Sequence, residues 1–390
     1  MKNASLNEVC CLVTDGTHDT PARHAEGYPL VKAKEIVGGI IDFDSADTIS
    51  PEEHLRVIAR SKPELGDTLF AHIGASLGEA AYVNTSREFS IKNIALFKPD
   101  PAVMLGRYLY YLVLSPQFQA TALAARTGSA QPFLSLGQLR RHVITYHESI
   151  DAQARIAAFL GSIDDLIENN NRRAKTLEEM AQRIYREWFV DFRYPGHEDV
   201  PLVDSELGPI PEGWTVGPLG DAMELVYGKA LKADDRKGGA VRVFGSSGVV
   251  GSHDEAQAPG PGIVVGRKGN VGSVHWSQGP FFVIDTAFWV RTPLPLTYCY
   301  FVLRNMNFVD SHSSVPGLSR GQAYGLPLLT PTQPLVDRFD AIASQLFLLK
   351  EVLSTSNGKL RLARDLLLPR LISGEINVEH LDIPVGEAAA

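Results

Sequence analysis

The chain has 390 residues, 44% of them apolar and 21% charged, with a formal net charge of −8. This composition is globular and the length exceeds what one hydrophobic core usually organises, so a disordered or fibrous chain is excluded and more than one domain is expected. The acidic balance excludes a large counterion-release contribution to nucleic-acid binding by the chain alone, and without an apolar stretch of roughly eighteen residues or a signal segment, no membrane role and a cytoplasmic location are expected.

In chain order, the run Leu6 to Gly16 opens a first globular module and leads into Asp15-Gly16-Thr17-His18-Asp19. Asp67-Thr68-Leu69-Phe70 then leads to a glycine-bounded turn, Gly74-Ala75-Ser76-Leu77-Gly78, and Ile91 to Phe97 reads as an apolar strand. After Arg126-Thr127-Gly128-Ser129-Ala130-Gln131 comes Pro132-Phe133-Leu134-Ser135-Leu136-Gly137-Gln138 and then a long heptad pattern. Its expected a and d positions are Ile156, Phe159, Ile163, Leu166, Asn170, Arg173, Leu177, Met180 and Ile184. Pro195, Pro201, Pro209, Pro211 and Pro218 mark a stiff linker or extended lead-in strand between Tyr194 and Gly220, because proline fixes φ and removes donors.

The pattern then repeats. Leu219 to Gly228 resembles Leu6 to Gly16; Gly262-Ile263-Val264-Val265 leading to Lys268-Gly269-Asn270-Val271-Gly272 resembles the first glycine-bounded turn; Phe281 to Val290 is again strand-like. Pro316-Gly317-Leu318-Ser319-Arg320-Gly321-Gln322 repeats P-x-L-S-x-G-Q at an offset of 184 residues. The second heptad list is Phe339, Ile342, Leu346, Leu349, Leu353, Ser356, Leu360, Ala363 and Leu367, each 183 residues after its counterpart. Two helices sharing one apolar phase are expected to pack on each other or on a common partner. At 1.5 Å per residue each would span roughly 55–60 Å, the length of a spacer. Asn170 and Arg173, set against Leu353 and Ser356, are expected to fix register.

Residues 1–150 carry 14 basic and 16 acidic side chains and residues 221–334 carry 10 and 8, so the helices and linker hold the acidic excess and the modules are near neutral. No Walker A sequence, dinucleotide glycine motif, H-E-x-x-H or zinc-spaced Cys/His cluster occurs, and Cys10, Cys11 and Cys299 have no C-x-x-C spacing. Neither a catalytic nor a metal-ligating residue is therefore assigned. The loops instead have the chemistry that reads base edges: arginine suits guanine, glutamine and asparagine suit adenine, and hydroxyls suit either or a phosphate. The candidate DNA-binding residues are Ser76, Arg126, Thr127, Ser129 and Gln131 in the first module. In the second they are Ser246, Ser247, Arg267, Lys268, Asn270, Ser313, Ser314, Arg320 and Gln322.

Arg155-Ile156-Ala157 through Leu177-Glu178 to Trp188-Phe189-Val190-Asp191-Phe192, followed by Gly208-Pro209-Ile210-Pro211-Glu212-Gly213-Trp214, resembles the central region of the specificity subunit of type I restriction-modification enzymes. Asp15-Gly16-Thr17-His18 with Thr20-Pro21, both glycine-bounded turns, Gly245-Ser246-Ser247-Gly248 and the ending Pro369-Arg370-Leu371-Ile372-Ser373-Gly374-Glu375-Ile376 are similar to further motifs of that family, in order and over nearly the whole chain. The first module lacks a counterpart of Pro211-Glu212-Gly213-Trp214.

The resemblance implies an α+β fold with two target-recognition domains separated by two long antiparallel coiled-coil helices in a pseudo-two-fold repeat. Residues 1–150 would form the first recognition domain, 151–193 the central spacer helix, 194–334 the linker and second recognition domain, and 335–390 the C-terminal spacer helix and tail. It implies a non-catalytic DNA-reading subunit, each domain taking one half of a bipartite site in double-stranded DNA and the helices setting the spacer. Two modification subunits would methylate adenine N6 with S-adenosylmethionine, and restriction subunits would cleave unmodified DNA with ATP and Mg, as in phage defence. No cofactor is expected on this chain. Trp188, Phe189 and Phe192 are expected either to dock a partner or to cap the second module's core. Two other classes stay open: a coiled-coil scaffold that does not bind DNA, and a hydrolase using Ser129 or His18.

Overall fold

The computed structural model describes residues 1–127, 132–308 and 317–379. The chain forms two compact units, one of Met1–Glu168 with Asn357–Ala390 and one of Asn169–Ser356. The protein is α+β, with a sheet-and-helix module in each unit and two 40-residue helices, Ile150–Phe189 and Gln333–Ile372. No helix of the described residues is long and apolar enough to cross a membrane.

Unit 1 is built on a four-stranded antiparallel sheet in the order Cys10–Asp15, Ala95–Pro99, Thr68–Phe70, Ala80–Tyr82. Alternate residues of a strand face opposite sides, and here both sides are covered. Phe70, Ala95 and Phe97 join one core with the helix Gly106–Leu114, while Leu69 and Leu96 join another with Val31, Phe89 and Ile91. That is why these strands read as unbroken apolar runs. A three-stranded sheet sets Tyr28–Val31 between Asp47–Ile49, antiparallel, and Ser90–Ile91, parallel.

Unit 2 repeats the plan. Its four-stranded sheet runs Glu224–Tyr227, Ala287–Arg291, Gly262–Gly266, Val274–Ser277, again antiparallel. Its three-stranded sheet sets Val241–Gly245 between antiparallel Gly248–His253 and parallel Phe281–Val283. Leu296–Asn305 takes the place of Gly106–Leu114, and both are apolar nearly all round, as buried helices are. Gly16 and Gly228 follow equivalent strands, and a Cβ on either would lie 2.1 or 2.0 Å from the carbonyl oxygen of Ile91 or Ile284. The close approach of two backbones explains the shared glycine.

The outer pairs match as well: Lys2–Ser5 pairs antiparallel with Val143–Tyr146, and Thr215–Pro218 with Pro327–Thr330. The first module therefore has an opening strand equivalent to that of the second. The proline-rich run is neither wholly linker nor one strand. It holds a short hairpin, Leu202–Val203 against Ile210–Pro211, and Tyr194 stacks on Trp214 with ring centroids 5.6 Å apart.

The long helices run antiparallel within each unit. In unit 1 Asp164 pairs with Arg364 and Ile167 with Asn357; in unit 2 Glu178 pairs with Lys350, and Tyr185 meets Phe339. Their seam corrects the expected heptad. Ile156, Ile163, Asn170, Leu177 and Ile184 turn inward at least partly, but the alternate positions fall one residue later, at Leu160, Ile167, Ala174 and Ala181. Leu166 is 45% and Met180 46% exposed, and Arg173 is exposed too. The second helix shifts alike, to Ala343, Lys350, Asn357 and Arg364, leaving Ile342 40% and Leu349 52% exposed. Bulky apolar side chains drew the expected seam outward, whereas several inner positions hold small residues, Ala174, Ala181 and Ala343, or polar ones that bond across, Lys350, Asn357 and Arg364. Of the residues expected to fix register, Arg173 is exposed and Ser356 half-buried, and the buried polar residues of the two helices are Gln153, Asn170 and Asn357.

Trp188, Phe189 and Phe192 belong to unit 2's core, where Phe189 packs on Tyr298 and Phe339 and Phe192 on Trp214.

Candidate nucleic-acid interface

In unit 1 the loop carrying Ser76 and the loop carrying Arg126 and Thr127 are stitched together by backbone bridges. Phe133 pairs with both Thr127 and Ile73, Gly74 N–H donates to the Pro132 carbonyl at 2.9 Å and Leu134 N–H to the His72 carbonyl at 2.9 Å. Gly74 and Gly78 take φ of 82° and 102°, values that L side chains rarely adopt, so the tight turn needs glycine. Arg126 and Thr127 are exposed and Ser76 half-buried; Ser129 and Gln131 lie outside the described residues.

P-x-L-S-x-G-Q stands at the start of a short helix in each unit. Ser135 caps the helix Leu136–Arg141, its Oγ accepting from Gln138 N–H while Gln138 Oε1 accepts from Ser135 N–H at 2.8 Å. This reciprocal cap satisfies otherwise unpaired donors at a helix start. In unit 2 Ser319 takes the same position before Arg320–Tyr324, without a side-chain cap bond.

Beside the first interface, Thr17, His18, Asp19, Arg56 and Arg60 line a polar concavity of about 390 Å³. Buried Asp15 is paired with Arg60 and, at 3.1 Å, with His18 Nε2, and His18 Nδ1 lies 2.8 Å from Asn93 Oδ1. The carboxylate thus compensates the Arg60 guanidinium. Neighbouring His72 is buried with Nδ1 at 2.7 Å from the Leu134 carbonyl and Nε2 without a hydrogen-bond partner among the described residues, and burial lowers its pKa.

Unit 2 gathers three loops at the corresponding place. Arg267 and Lys268 N–H groups both donate to the Thr286 carbonyl, at 2.8 and 3.0 Å, and Leu318 N–H donates to the Arg267 carbonyl at 2.7 Å. Ser273 Oγ donates to the Ser246 carbonyl, which also lies 3.1 Å from His275 Nε2, tying the Ser246-Ser247 turn to the Arg267–Asn270 turn. Asn270, Ser247, Arg320 and Gln322 are exposed, and Ser246, Arg267 and Lys268 half-buried; Ser313 and Ser314 lie outside the described residues.

A residue the sequence did not single out stands at the centre. The Arg267 and Arg320 guanidinium carbons lie 5.1 and 5.0 Å from the ring centroid of Tyr227, which is 45% exposed. Arg267 Nη1 also donates to the Asp285 carbonyl at 3.1 Å. By register, Tyr227 opposite Phe288 corresponds to Asp15 opposite Ala95. Laying the two repeats over each other would have drawn attention to that replacement.

No family model matches the chain. It is 24% identical over 402 aligned residues, 90% of each chain, to the MjaIX specificity subunit, a type I restriction enzyme subunit of Methanocaldococcus jannaschii. It is also 24% identical over 34% of its length, and 30% of the relative's, to the HindI specificity subunit of Haemophilus influenzae. Among solved structures, the type I restriction-modification S subunit from M. genitalium shares the fold, with a TM-score of 0.56, 16% identity, and 95% of this chain and 96% of that one covered. The chain is thus similar in sequence, over nine-tenths of its length, to a specificity subunit of a type I restriction enzyme, and shares its fold with a solved S subunit.

Proposed function

We propose that the chain is the DNA sequence-specificity subunit of a type I restriction-modification complex and is not itself catalytic. Each module takes one half of a bipartite site in double-stranded DNA, through Ser76, Arg126, Thr127, Ser129 and Gln131 in one and Ser246, Ser247, Arg267, Lys268, Asn270, Ser313, Ser314, Arg320 and Gln322 in the other. The observation that carries this reading is the repeat itself: two sheets of the same strand order and direction, each gathering loops of donors at equivalent strand ends, with different side chains on each. Two copies of a scaffold with divergent loops suit two different half-sites.

The long helices set the unspecified spacer and dock two modification subunits, which methylate adenine N6 with S-adenosylmethionine; restriction subunits supply ATP- and Mg-dependent cleavage, in the cytoplasm. Support for docking comes from the outer helix face. Exposed Leu349 and Val352 line a groove with Leu353, Leu177, Arg172 and Arg173 in unit 2, and Leu348 is exposed beside them. Such mixed apolar and arginine surfaces are typical of partner interfaces.

The test is single-molecule methylation mapping in cells that express the chain with its modification subunit, against cells lacking only the chain. A bipartite N6-methyladenine motif that disappears with the deletion is expected. Motifs that persist, despite assembly with an active modification subunit, would favour a scaffold that does not read DNA.

A further inference from the structure

Two guanidinium groups beside one aromatic ring repel each other, and the negative ring face offsets only part of that cost. Neither Arg267 nor Arg320 has a carboxylate within salt-bridge distance among the described residues. In unit 1 the corresponding strand end carries Asp15, and the arginine beside it, Arg60, is neutralised. Among the described residues, unit 2 therefore holds a cationic pair without a carboxylate partner where unit 1 holds an ion pair.

Geometry narrows what that pair takes. Both main-chain groups of Arg267 are bonded, its head is braced by the Asp285 carbonyl and its plane rests beside Tyr227. A phosphate needs charge but little orientation, whereas the N7/O6 edge of guanine in the major groove needs a held, two-pronged donor. We propose that Tyr227 is a positioning residue that holds Arg267 and Arg320 together, so that the half-site read by unit 2 contains a guanine contacted by Arg267. This rests on the specificity reading above and adds to it a base and a residue.

The experiment is methylation mapping of the full chain, co-expressed with its modification subunit, as wild type and as Tyr227→Leu, Tyr227→Phe, Arg267→Ala and Arg267→Lys. The wild-type motif is expected to hold a guanine whose preference falls at least tenfold in both Arg267 variants and in Y227L, at the same position, with the other half unchanged. Y227F keeps the ring and is expected to keep the preference. An unaltered Y227L map, equal relaxation in Y227L and Y227F, or relaxation at a base other than guanine overturns the proposal. Because Tyr227 also touches Phe288, Y227L can loosen the sheet. Should its melting temperature fall, R267K decides: it keeps the charge and loses the fork, and a retained guanine preference overturns the proposal. Deleting the chain separates the two levels, since motifs that survive deletion overturn the specificity reading, and a chain-dependent motif indifferent to these variants overturns only the role given to Tyr227 and Arg267.

Discussion

The side-chain amide of Asn357 donates to the main-chain carbonyl of Ile167 at 3.2 Å, joining the two long helices inside unit 1. Asn357 is 2% exposed, so its amide is held away from water. A buried polar side chain of this kind fixes register at some cost in stability. Asn357→Ala is expected to lower stability by about 1–2 kcal/mol, through the lost bond and the space left behind. Asn357→Leu is expected to keep stability and lose uniqueness, giving a broadened profile in size-exclusion chromatography. Urea unfolding of Asn357→Ala at wild-type midpoint would sink this account.

Glu178 has three partners in unit 2: Lys350, Arg304 and the Tyr300 hydroxyl, 3.0 Å away. Burial raises its pKa, but the hydrogen bonds and cations outweigh burial and leave it lowered. Its contribution is therefore present above the ordinary carboxylate range and lost as pH falls through the depressed value. Glu178→Ala leaves the cations beside the helix uncompensated and is expected to cost roughly 1–3 kcal/mol, measured by chemical denaturation at neutral pH. A cost that persists undiminished at acid pH would contradict it.

Mild acid is expected to weaken unit 1. Burial lowers the pKa of His54 and His72, against the raising influence of Glu88 on the first and of the Leu134 carbonyl and Asp15 on the second. Each imidazole has a buried Nε2 without a hydrogen-bond partner among the described residues. The unfolded chain then binds protons more readily, so stability is full above the unfolded histidine value, about 6.5, and declines as pH falls below it. The urea midpoint is expected to drop between pH 7.5 and 5.5, and His54→Gln with His72→Gln to flatten that drop. Equal wild-type midpoints at the two pH values would count against it.

Leu349→Asp places a charge on the exposed groove without touching either core. Melting is expected within about 0.5 kcal/mol of wild type, as for other surface changes, while co-purification with the modification subunit is expected to fall at least tenfold. Unchanged recovery would move the docking face elsewhere.

What the sequence revealed follows from what repeats preserve. Gly16 and Gly228, the glycine-bounded turns and the apolar strand runs are backbone requirements, so they recur and announce the duplicated sheet. Tyr227 was illegible for the opposite reason: it differs from its counterpart Asp15, and a lone aromatic at a strand end has no motif. The heptad was right in period and partly wrong in phase, because leucines 166 and 349 score as seam residues although the seam is closed by Ala174, Ala181 and bonded Asn357.

The first unit is discontinuous along the chain. Leu368, Leu371, Ile372 and Val378 pack with Leu6, Val9 and Tyr108 in one core, although all of unit 2 lies between them in sequence. On the ribosome, the first module would emerge early and wait, incomplete, until the second had been synthesised. The second module is continuous and has no such delay. A premature stop soon after Ser356 would thus injure the domain translated first and spare the one translated last.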